Sequence, residues 1–158
     1  RRRDNHEDGI RGIARAVRGD GGERCVVDIV YPVECNSDVK RRVDELLQGT
    51  PNIYRISRRD YVAFVDAMRH STLLLTDSGG VQEEAPSLGK PVLVMRNTTE
   101  RPEAVEAGTV RLVGTDADAI VENVSQLLHD QEVYRKMLES YNPYGDGHAC
   151  ERIVAALR

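Results

Sequence analysis

A run of five residues, Thr72–Thr76, most constrains the fold of this chain, because three consecutive leucines lie between β-branched threonines. A continuous apolar run of this length is typical of a strand that is buried on both faces of a sheet. A helical pattern follows from about Val81 to Leu88, and a second apolar strand is predicted over 91–95. A strand, a helix and a strand in this order indicate parallel strands joined by a crossover helix.

Strands and helices alternate along the rest of the chain as well. The patterns predict further strands over 26–31, 53–56 and 110–113, the first of them ended by Pro32. Further helices are predicted near 9–18, 39–47, 61–68, 103–107, 117–128, 131–140 and 146–157, with Asp60 and Asp116 as N-caps. This alternation predicts an α/β fold with a mainly parallel sheet that helices cover on both faces.

Composition excludes several classes of function. The chain has 158 residues, 40% hydrophobic and 30% charged, which is typical of one globular domain. A net charge of −4 argues against a nucleic-acid backbone binder, and no apolar run approaches the roughly 20 residues of a membrane helix. Three scattered cysteines and four histidines predict neither a disulfide framework nor a metal site, and they favour a cytoplasmic location. The first residue is Arg1, so we expect a piece of a longer chain.

A candidate anion site follows the Thr72–Thr76 strand. Asp77-Ser78-Gly79-Gly80 opens the next helix, whose first backbone N–H groups have no partner within the helix. Two glycines let an anion approach the backbone, and Ser78 supplies either a hydroxyl donor or a cap. The competing interpretation is a capped turn whose residues are small only for tight helix–strand packing. Glu84, about one helical turn beyond Gly80, is placed to accept hydrogen bonds from a ribose diol or simply to interact favourably with the helix dipole.

The segment after the 91–95 strand is a second candidate, because it lies at the same edge of a parallel sheet. Thr99 is predicted to cap the helix that has Pro102 in its first turn, and Arg101 is suited to a phosphate or a carboxylate. A cap followed by a surface arginine is an equally good interpretation of these residues. Clustered arginines at Arg1-Arg2-Arg3 suit a diphosphate or a solvated face.

Three segments together resemble the signature of the non-hydrolysing UDP-N-acetylglucosamine 2-epimerases. They read LTDSGGVQEEAPSLGKPVLV at 75–94, TTERPEA with AGTVRLVGT at 98–115, and NPYGDG at 142–147. The likeness covers nearly the whole chain. It implies a glycosyltransferase-B-type fold with two Rossmann-like halves, of which residues 1–158 are the C-terminal, UDP-binding half.

The resemblance also implies a reaction. Members of the family interconvert UDP-GlcNAc and UDP-ManNAc by eliminating UDP to a glycal and adding it back with inverted configuration at C2. They need no metal and no redox cofactor. The proton-abstracting carboxylates belong mostly to the N-terminal half, which this chain lacks, and full-length members are commonly homodimers. We therefore expect UDP and these UDP-sugars as ligands and the missing N-terminal domain as partner, with no nucleic acid or membrane.

Site residues follow from the resemblance position by position. Ser78, Gly79 and Gly80 would hold the diphosphate and Glu84 the ribose hydroxyls. The catalytic candidates are Arg101, near the sugar and phosphates, and Arg1. The uracil would be bordered by the backbone near Arg59 and by the ring of Phe64, which plain core packing would also explain.

Three positions depart from the family pattern. Arg1 and Glu34 stand where the family usually has histidine, and Arg58 replaces the usual proline before the uracil segment. An arginine at position 1 could still neutralise phosphate but cannot exchange a proton near neutral pH, and Glu34 puts activation by a second UDP-GlcNAc in doubt. The alternatives are therefore a non-catalytic nucleotide-binding fragment, a glycosyltransferase of the same architecture, and a hydrolysing 2-epimerase.

Overall fold

The computed structural model describes residues 27–33, 41, 45, 52–57 and 60–157. The helix predicted near 9–18 lies outside these residues, and of the one near 39–47 only Arg41 and Glu45 are described, both helical. In chain order the elements are β1 (Ile29–Val33), β2 (Ile53–Ser57), α1 (Tyr61–His70), β3 (Leu74–Thr76), α2 (Gly79–Ser87), β4 (Val92–Val94), α3 (Pro102–Glu106), β5 (Val110–Leu112), α4 (Ala117–His129), α5 (Gln131–Glu139) and α6 (Ala149–Ala156).

Every strand pair in the described part of the chain is parallel. β1 pairs with β2, with Ile29 opposite Ile53. β4 lies between β3 and β5, so that Leu93 is opposite Leu75 on one side and Arg111 on the other. Helices α2 and α3 connect these three strands in sequence. The α/β class with parallel strands is confirmed.

The core lies on both sides of β4, whose three residues are fully buried. Leu93 faces α4 and α5, and Val92 and Val94 face α2 and α3. The first cluster consists of Leu93, Met95, Val113, Ile120, Leu127 and Met137, and the second of Ala85, Val92, Val94, Ala104 and Val110. Helices therefore cover both faces of the sheet, as the alternating pattern predicts.

The β3 strand is less buried than its run of leucines predicts. Leu75 packs against the first cluster and Leu74 against the second, so both faces of β3 are covered. All three residues of β3 nevertheless keep partial solvent exposure. The reason is that β3 is an edge strand of the described three-stranded sheet, with a hydrogen-bonded neighbour on one side only.

The prediction that Pro32 ends the first strand is wrong, because β1 continues through it. In this parallel pair the Ile29 N–H donates to Asn52 O at 2.8 Å. Since successive residues of a strand direct their N–H groups to opposite edges, the Pro32 nitrogen faces away from β2. A proline is tolerated at such a position because no hydrogen bond to β2 is lost there.

Two helix starts are confirmed with their capping residues. The Ala63 N–H donates to Asp60 Oδ1 at 2.8 Å, and the Ala119 N–H donates to Asp116 Oδ1 at 3.0 Å. Each carboxylate satisfies one of the amides that a helix start leaves unpaired, and it interacts favourably with the dipole.

Helix α6 begins at Ala149, three residues later than predicted, and all of its described residues are exposed. Asp146 lies outside the helix and accepts hydrogen bonds from its first turns. Asp146 Oδ1 accepts from the His148 N–H at 3.1 Å, and its two oxygens accept from both terminal nitrogens of Arg152 at 2.9 and 2.6 Å.

We expect the start of α6 to depend on pH through Asp146. The hydrogen bonds from Arg152, and then that from the His148 N–H, lower the pKa of Asp146. A lowered pKa in the folded state stabilises the fold above the unfolded pKa of about 3.9, and this contribution is lost as the pH falls through the folded value. Asp146→Asn should therefore lower Tm slightly at pH 7, with a gap to the wild type that closes below about pH 4. Thermal unfolding followed by circular dichroism at both pH values measures this, and an equal gap at both would contradict it.

Candidate functional site

The two candidate segments lie side by side because β3 and β4 are parallel and in register. Thr76 pairs with Val94, so both strands end at the same edge of the sheet. The Met95 N–H donates to Thr76 O at 2.9 Å just beyond them. We call Asp77–Gly80 the serine–glycine turn and Arg96–Arg101 the arginine turn. Ligands in open parallel sheets bind at this carboxyl edge.

The serine–glycine turn leaves the start of α2 without a side-chain cap. Ser78 occupies the N-cap position with extended backbone angles, but its hydroxyl makes no capping hydrogen bond. The Ser78 N–H instead donates to Thr76 Oγ1 at 3.0 Å, and Ser78 and Gly80 are exposed. Of the two roles that the sequence leaves open for Ser78, the structure favours a free hydroxyl over a cap.

Neither glycine of this turn is required by packing or by backbone conformation. A Cβ atom at Gly79 would meet no atom of the described residues within 4 Å, and one at Gly80 would lie 3.9 Å from both Glu84 Oε1 and Ser78 Oγ, an ordinary contact. Neither residue has a positive φ. The interpretation that small residues serve tight helix–strand packing is therefore not supported, and the glycines leave the helix start accessible from outside.

The Glu84 carboxylate and the Ser78 hydroxyl flank the open side of Gly80. Glu84 Oε1 and Ser78 Oγ each lie 3.9 Å from the position that a Cβ atom on Gly80 would occupy, although the two residues lie on successive turns of the chain. Glu84 is half-buried. Backbone donors, a hydroxyl and a hydrogen-bond acceptor thus converge on one exposed corner.

The arginine turn presents Arg101 next to this corner. Arg101 Nε donates to Glu83 Oε1 on α2, and Nη1 donates to Glu100 O at 3.2 Å. The hydrogen bond to Glu83 and its negative charge raise the pKa of Arg101, which keeps the guanidinium charged. Both side chains are more than a third exposed, so the pair lies at the protein surface.

The prediction that Thr99 caps α3 is wrong. The helix begins at Pro102, with Arg101 as the N-cap residue and no side-chain cap. Thr99 Oγ1 accepts from the Arg101 N–H at 3.0 Å and so closes a turn before the helix starts. The reason is that a threonine hydroxyl bonds well to the amide two residues on, and this geometry competes with capping. Pro102 is at the first helical position, as predicted.

The sequence predicted no role for Gln82. It is fully buried, although it lies on the first turns of α2. Its Nε2 donates to Ser78 O at 3.2 Å, and its Oε1 accepts from Thr99 Oγ1 at 2.6 Å. The one sequence signal for a role of Gln82 is that a polar residue stands among the positions that this short helix buries.

The NPYGDG segment packs against the same helix. Asn142 Nδ2 donates to Ser87 Oγ at 2.8 Å, and the Tyr144 N–H donates to Asn142 Oδ1 at 3.1 Å. The ring of Tyr144 packs against the second core cluster, and its hydroxyl is buried without a hydrogen-bond partner among the described residues. Burial, followed by the charges of Glu103 and Glu83, raises the pKa of Tyr144.

The described part of the chain shows no contact between this corner and the remaining predicted site residues. Arg1, Glu34, Arg58 and Arg59 lie outside the described residues. Phe64 lies on α1, where it is half-buried and belongs to neither core cluster.

The described ranges contain neither a candidate metal site nor a candidate membrane span. No group of three or more His, Cys, Asp or Glu side chains there lies close enough to hold a metal ion. None of the helices described above is long and apolar enough to cross a membrane.

Comparisons with known proteins agree with the motifs. Residues 1–158 match the family UDP-N-acetylglucosamine 2-epimerase. The UDP-N-acetylglucosamine 2-epimerase of Yersinia pestis is 52% identical over 157 residues, which is 99% of this chain and 42% of that protein. The chain therefore spans about two fifths of the length of the curated relatives it matches.

Solved structures of relatives share the fold. The crystal structure of the UDP-GlcNAc 2-epimerase of Neisseria meningitidis bound to UDP-GlcNAc superposes with a TM-score of 0.86 at 43% identity, covering 95% of this chain and 40% of the other. The co-structure of S. aureus MnaA with UDP gives a TM-score of 0.84 at 41% identity, covering 99% and 43%. By sequence and by fold, this chain belongs to the UDP-N-acetylglucosamine 2-epimerase family.

Proposed function

We propose that this chain is the UDP-binding half of an enzyme that interconverts UDP-GlcNAc and UDP-ManNAc. In this proposal the Ser78 hydroxyl and the backbone amides of Gly79 and Gly80 hold the diphosphate, and Glu84 holds the ribose hydroxyls. The support is the family membership together with two relatives whose structures hold UDP-GlcNAc and UDP.

The observation that carries the proposal is the pair of glycines at an uncapped helix start. Packing and backbone angles leave room for larger residues at both positions. A helix N-terminus attracts a phosphate because unpaired N–H groups and the dipole both favour negative charge. The same donors stabilise the charge that develops on UDP when the bond between it and C1 of the sugar breaks.

Arg101 is proposed to lie beside the sugar and the phosphates. Glu83 and Glu100 O occupy Nε and Nη1, and no bond from Nη2 to a described residue is present. A guanidinium held on one side in this way keeps donors for a phosphate oxygen. The proposed contributions of Arg1 to catalysis and of Arg59 and Phe64 to the uracil site rest on the family resemblance alone.

The groups that remove and return the C2 proton are proposed to belong to the N-terminal domain that the chain does not include. The relatives are more than twice as long as the chain. Helix α6 supports a missing partner, because Ile153 and Val154 on this helix and Leu157 directly after it are all at least half exposed. We propose a homodimer in the cytoplasm for the full-length form, which needs neither a metal nor a redox cofactor.

A non-catalytic nucleotide-binding fragment is the second candidate. It is favoured by Arg1 and Glu34 at positions where the family usually has histidine. The product formed from UDP-GlcNAc by the full-length protein separates the candidates. UDP-ManNAc identifies an epimerase, free ManNAc with UDP a hydrolysing enzyme, and transfer to an acceptor a glycosyltransferase.

We expect the isolated chain to bind UDP weakly and to turn over nothing. Calorimetric titration with UDP, UMP and uridine tests where the affinity originates. Because the site is assigned to the diphosphate, UDP should bind at least about tenfold more tightly than UMP, and uridine more weakly again. Equal affinity for UDP and uridine would contradict the assignment, and epimerisation by these residues alone would contradict the need for the missing half.

A further inference from the structure

We infer that Gln82 is a positioning residue whose buried amide fixes the serine–glycine turn relative to the arginine turn. The inference rests on the proposed function, because it matters only if both turns contact the same nucleotide sugar. It concerns a side chain that does not itself reach the open corner, since Gln82 is fully buried.

A continuous chain of hydrogen bonds connects the two turns through Gln82. Gln82 Nε2 donates to Ser78 O, and Gln82 Oε1 accepts from Thr99 Oγ1, 17 residues further along the sequence. Thr99 Oγ1 in turn accepts from the Arg101 N–H. The chain therefore begins at the backbone of one candidate ligand-binding turn and ends at the backbone of the other.

The groups at the two ends of this series of hydrogen bonds fix the direction of every hydrogen bond in it. The Ser78 carbonyl can only accept, so the Gln82 NH₂ must face it and the Gln82 oxygen must face Thr99. The Thr99 hydroxyl then donates its single proton to Gln82, which leaves a lone pair for the Arg101 N–H, a group that can only donate. An amide is required in the middle, because a carboxylate cannot donate to Ser78 O and an apolar side chain supports neither bond.

The neighbouring residue holds the side chain of the same arginine. Glu83 accepts from Arg101 Nε, while Gln82 reaches the Arg101 backbone through Thr99. Two consecutive residues of α2 thus fix both the main chain and the guanidinium of Arg101. Because the serine–glycine turn opens this helix, a displacement of either turn is transmitted to the other, and rates fall steeply with misplacement of about 1 Å.

A purely structural role for Gln82 makes a different prediction. A buried amide that only satisfies local backbone groups would affect stability when removed, and it would leave the folded site unchanged. Thr109 offers a matched control, because it is buried and its hydroxyl donates to Ala104 O at 3.1 Å, with no bond to either turn. Thr109→Val removes a buried hydrogen bond of the same class.

The test compares Gln82→Met, Thr99→Val, Thr99→Ser and Thr109→Val in the full-length protein. UDP affinity, kcat and KM are measured well below the Tm of each variant. We expect Gln82→Met and Thr99→Val each to weaken UDP binding and to lower kcat/KM by about tenfold. Thr99→Ser keeps the hydroxyl and should recover most of what Thr99→Val loses, and Thr109→Val should lower Tm only.

The double variant Gln82→Met/Thr99→Val gives the sharpest readout. If both residues act through one chain, its loss should equal that of either single variant, whereas independent roles give a hundredfold, multiplicative loss. Unchanged affinity and rates in both single variants, with only a lower Tm, would overturn the inference. If Gln82→Met does not fold, Thr99→Val tests the same chain from the half-exposed end. A wild-type protein that neither binds UDP nor forms UDP-ManNAc would refute the proposed function instead.

Discussion

Gly80→Asp should weaken the binding of UDP by at least about 100-fold. The new carboxylate would occupy the open corner between Ser78 Oγ and Glu84 Oε1, where the diphosphate is proposed to bind. Two charges of like sign about 4 Å apart repel by roughly 4 kcal/mol near a protein surface, which is more than this loss requires. Calorimetric titration of the variant with UDP measures the effect.

Gly80→Ala is the control for this substitution. A Cβ at this position makes only ordinary contacts, and alanine is about 1 kcal/mol better than glycine inside a helix. The alanine variant should therefore keep or raise Tm, while it lowers the affinity for UDP less than aspartate does. Aspartate in the first turn of a helix is also favourable to the dipole, so Gly80→Asp should remain folded. Unchanged UDP affinity in a folded Gly80→Asp protein would refute the anion site.

Arg101→Gln should lower kcat/KM for epimerisation by about 100- to 1,000-fold in the full-length protein. The substitution removes the positive charge that is proposed to stabilise departing UDP. It also leaves the Glu83 carboxylate, now unpaired, facing the negatively charged ligand. Steady-state assays with UDP-GlcNAc measure the effect, and the loss should appear in kcat as well as in KM because the charge on UDP develops in the transition state.

Arg111→Gln provides a matched arginine control. Arg111 lies on β5 and donates from Nη1 to Asn123 Oδ1 at 3.1 Å and to Gln126 Oε1 at 2.7 Å, both on α4. This substitution removes an arginine with two side-chain partners on the opposite face of the sheet, so it should change stability and leave kcat/KM near the wild-type value. Similar losses in both variants would indicate a general effect of arginine removal and would contradict the assignment to Arg101.

Local features of the fold were predictable because they depend on neighbouring residues. An aspartate at the N-cap position accepts a hydrogen bond from the amide three residues later, whatever the rest of the fold is. Asp60 and Asp116 both do so. The order of strands and helices follows from apolar periodicity in the same way, and so does the place of the serine–glycine turn at the end of β3. The predictions that failed are those that depend on which strand or helix lies next to an element in the folded protein. The solvent exposure of β3 depends on the side from which another strand pairs, and Pro32 continues β1 because its nitrogen faces away from β2.

The candidate site likewise has one part that the local sequence predicts and another part that depends on contacts in the tertiary structure. Ser78, Gly79, Gly80 and Glu84 occupy one continuous segment, so sequence alone placed them together at a helix start. The pairs Gln82–Thr99 and Glu83–Arg101 join residues 17 and 18 positions apart, and they form only because β3 and β4 align in register at their carboxyl ends. The sequence by itself therefore determined the class of fold, the family and the turn that is proposed to bind an anion. Only the tertiary structure decided which side chains hold that turn in place, because parallel pairing across a crossover helix brings together segments that are distant in the sequence.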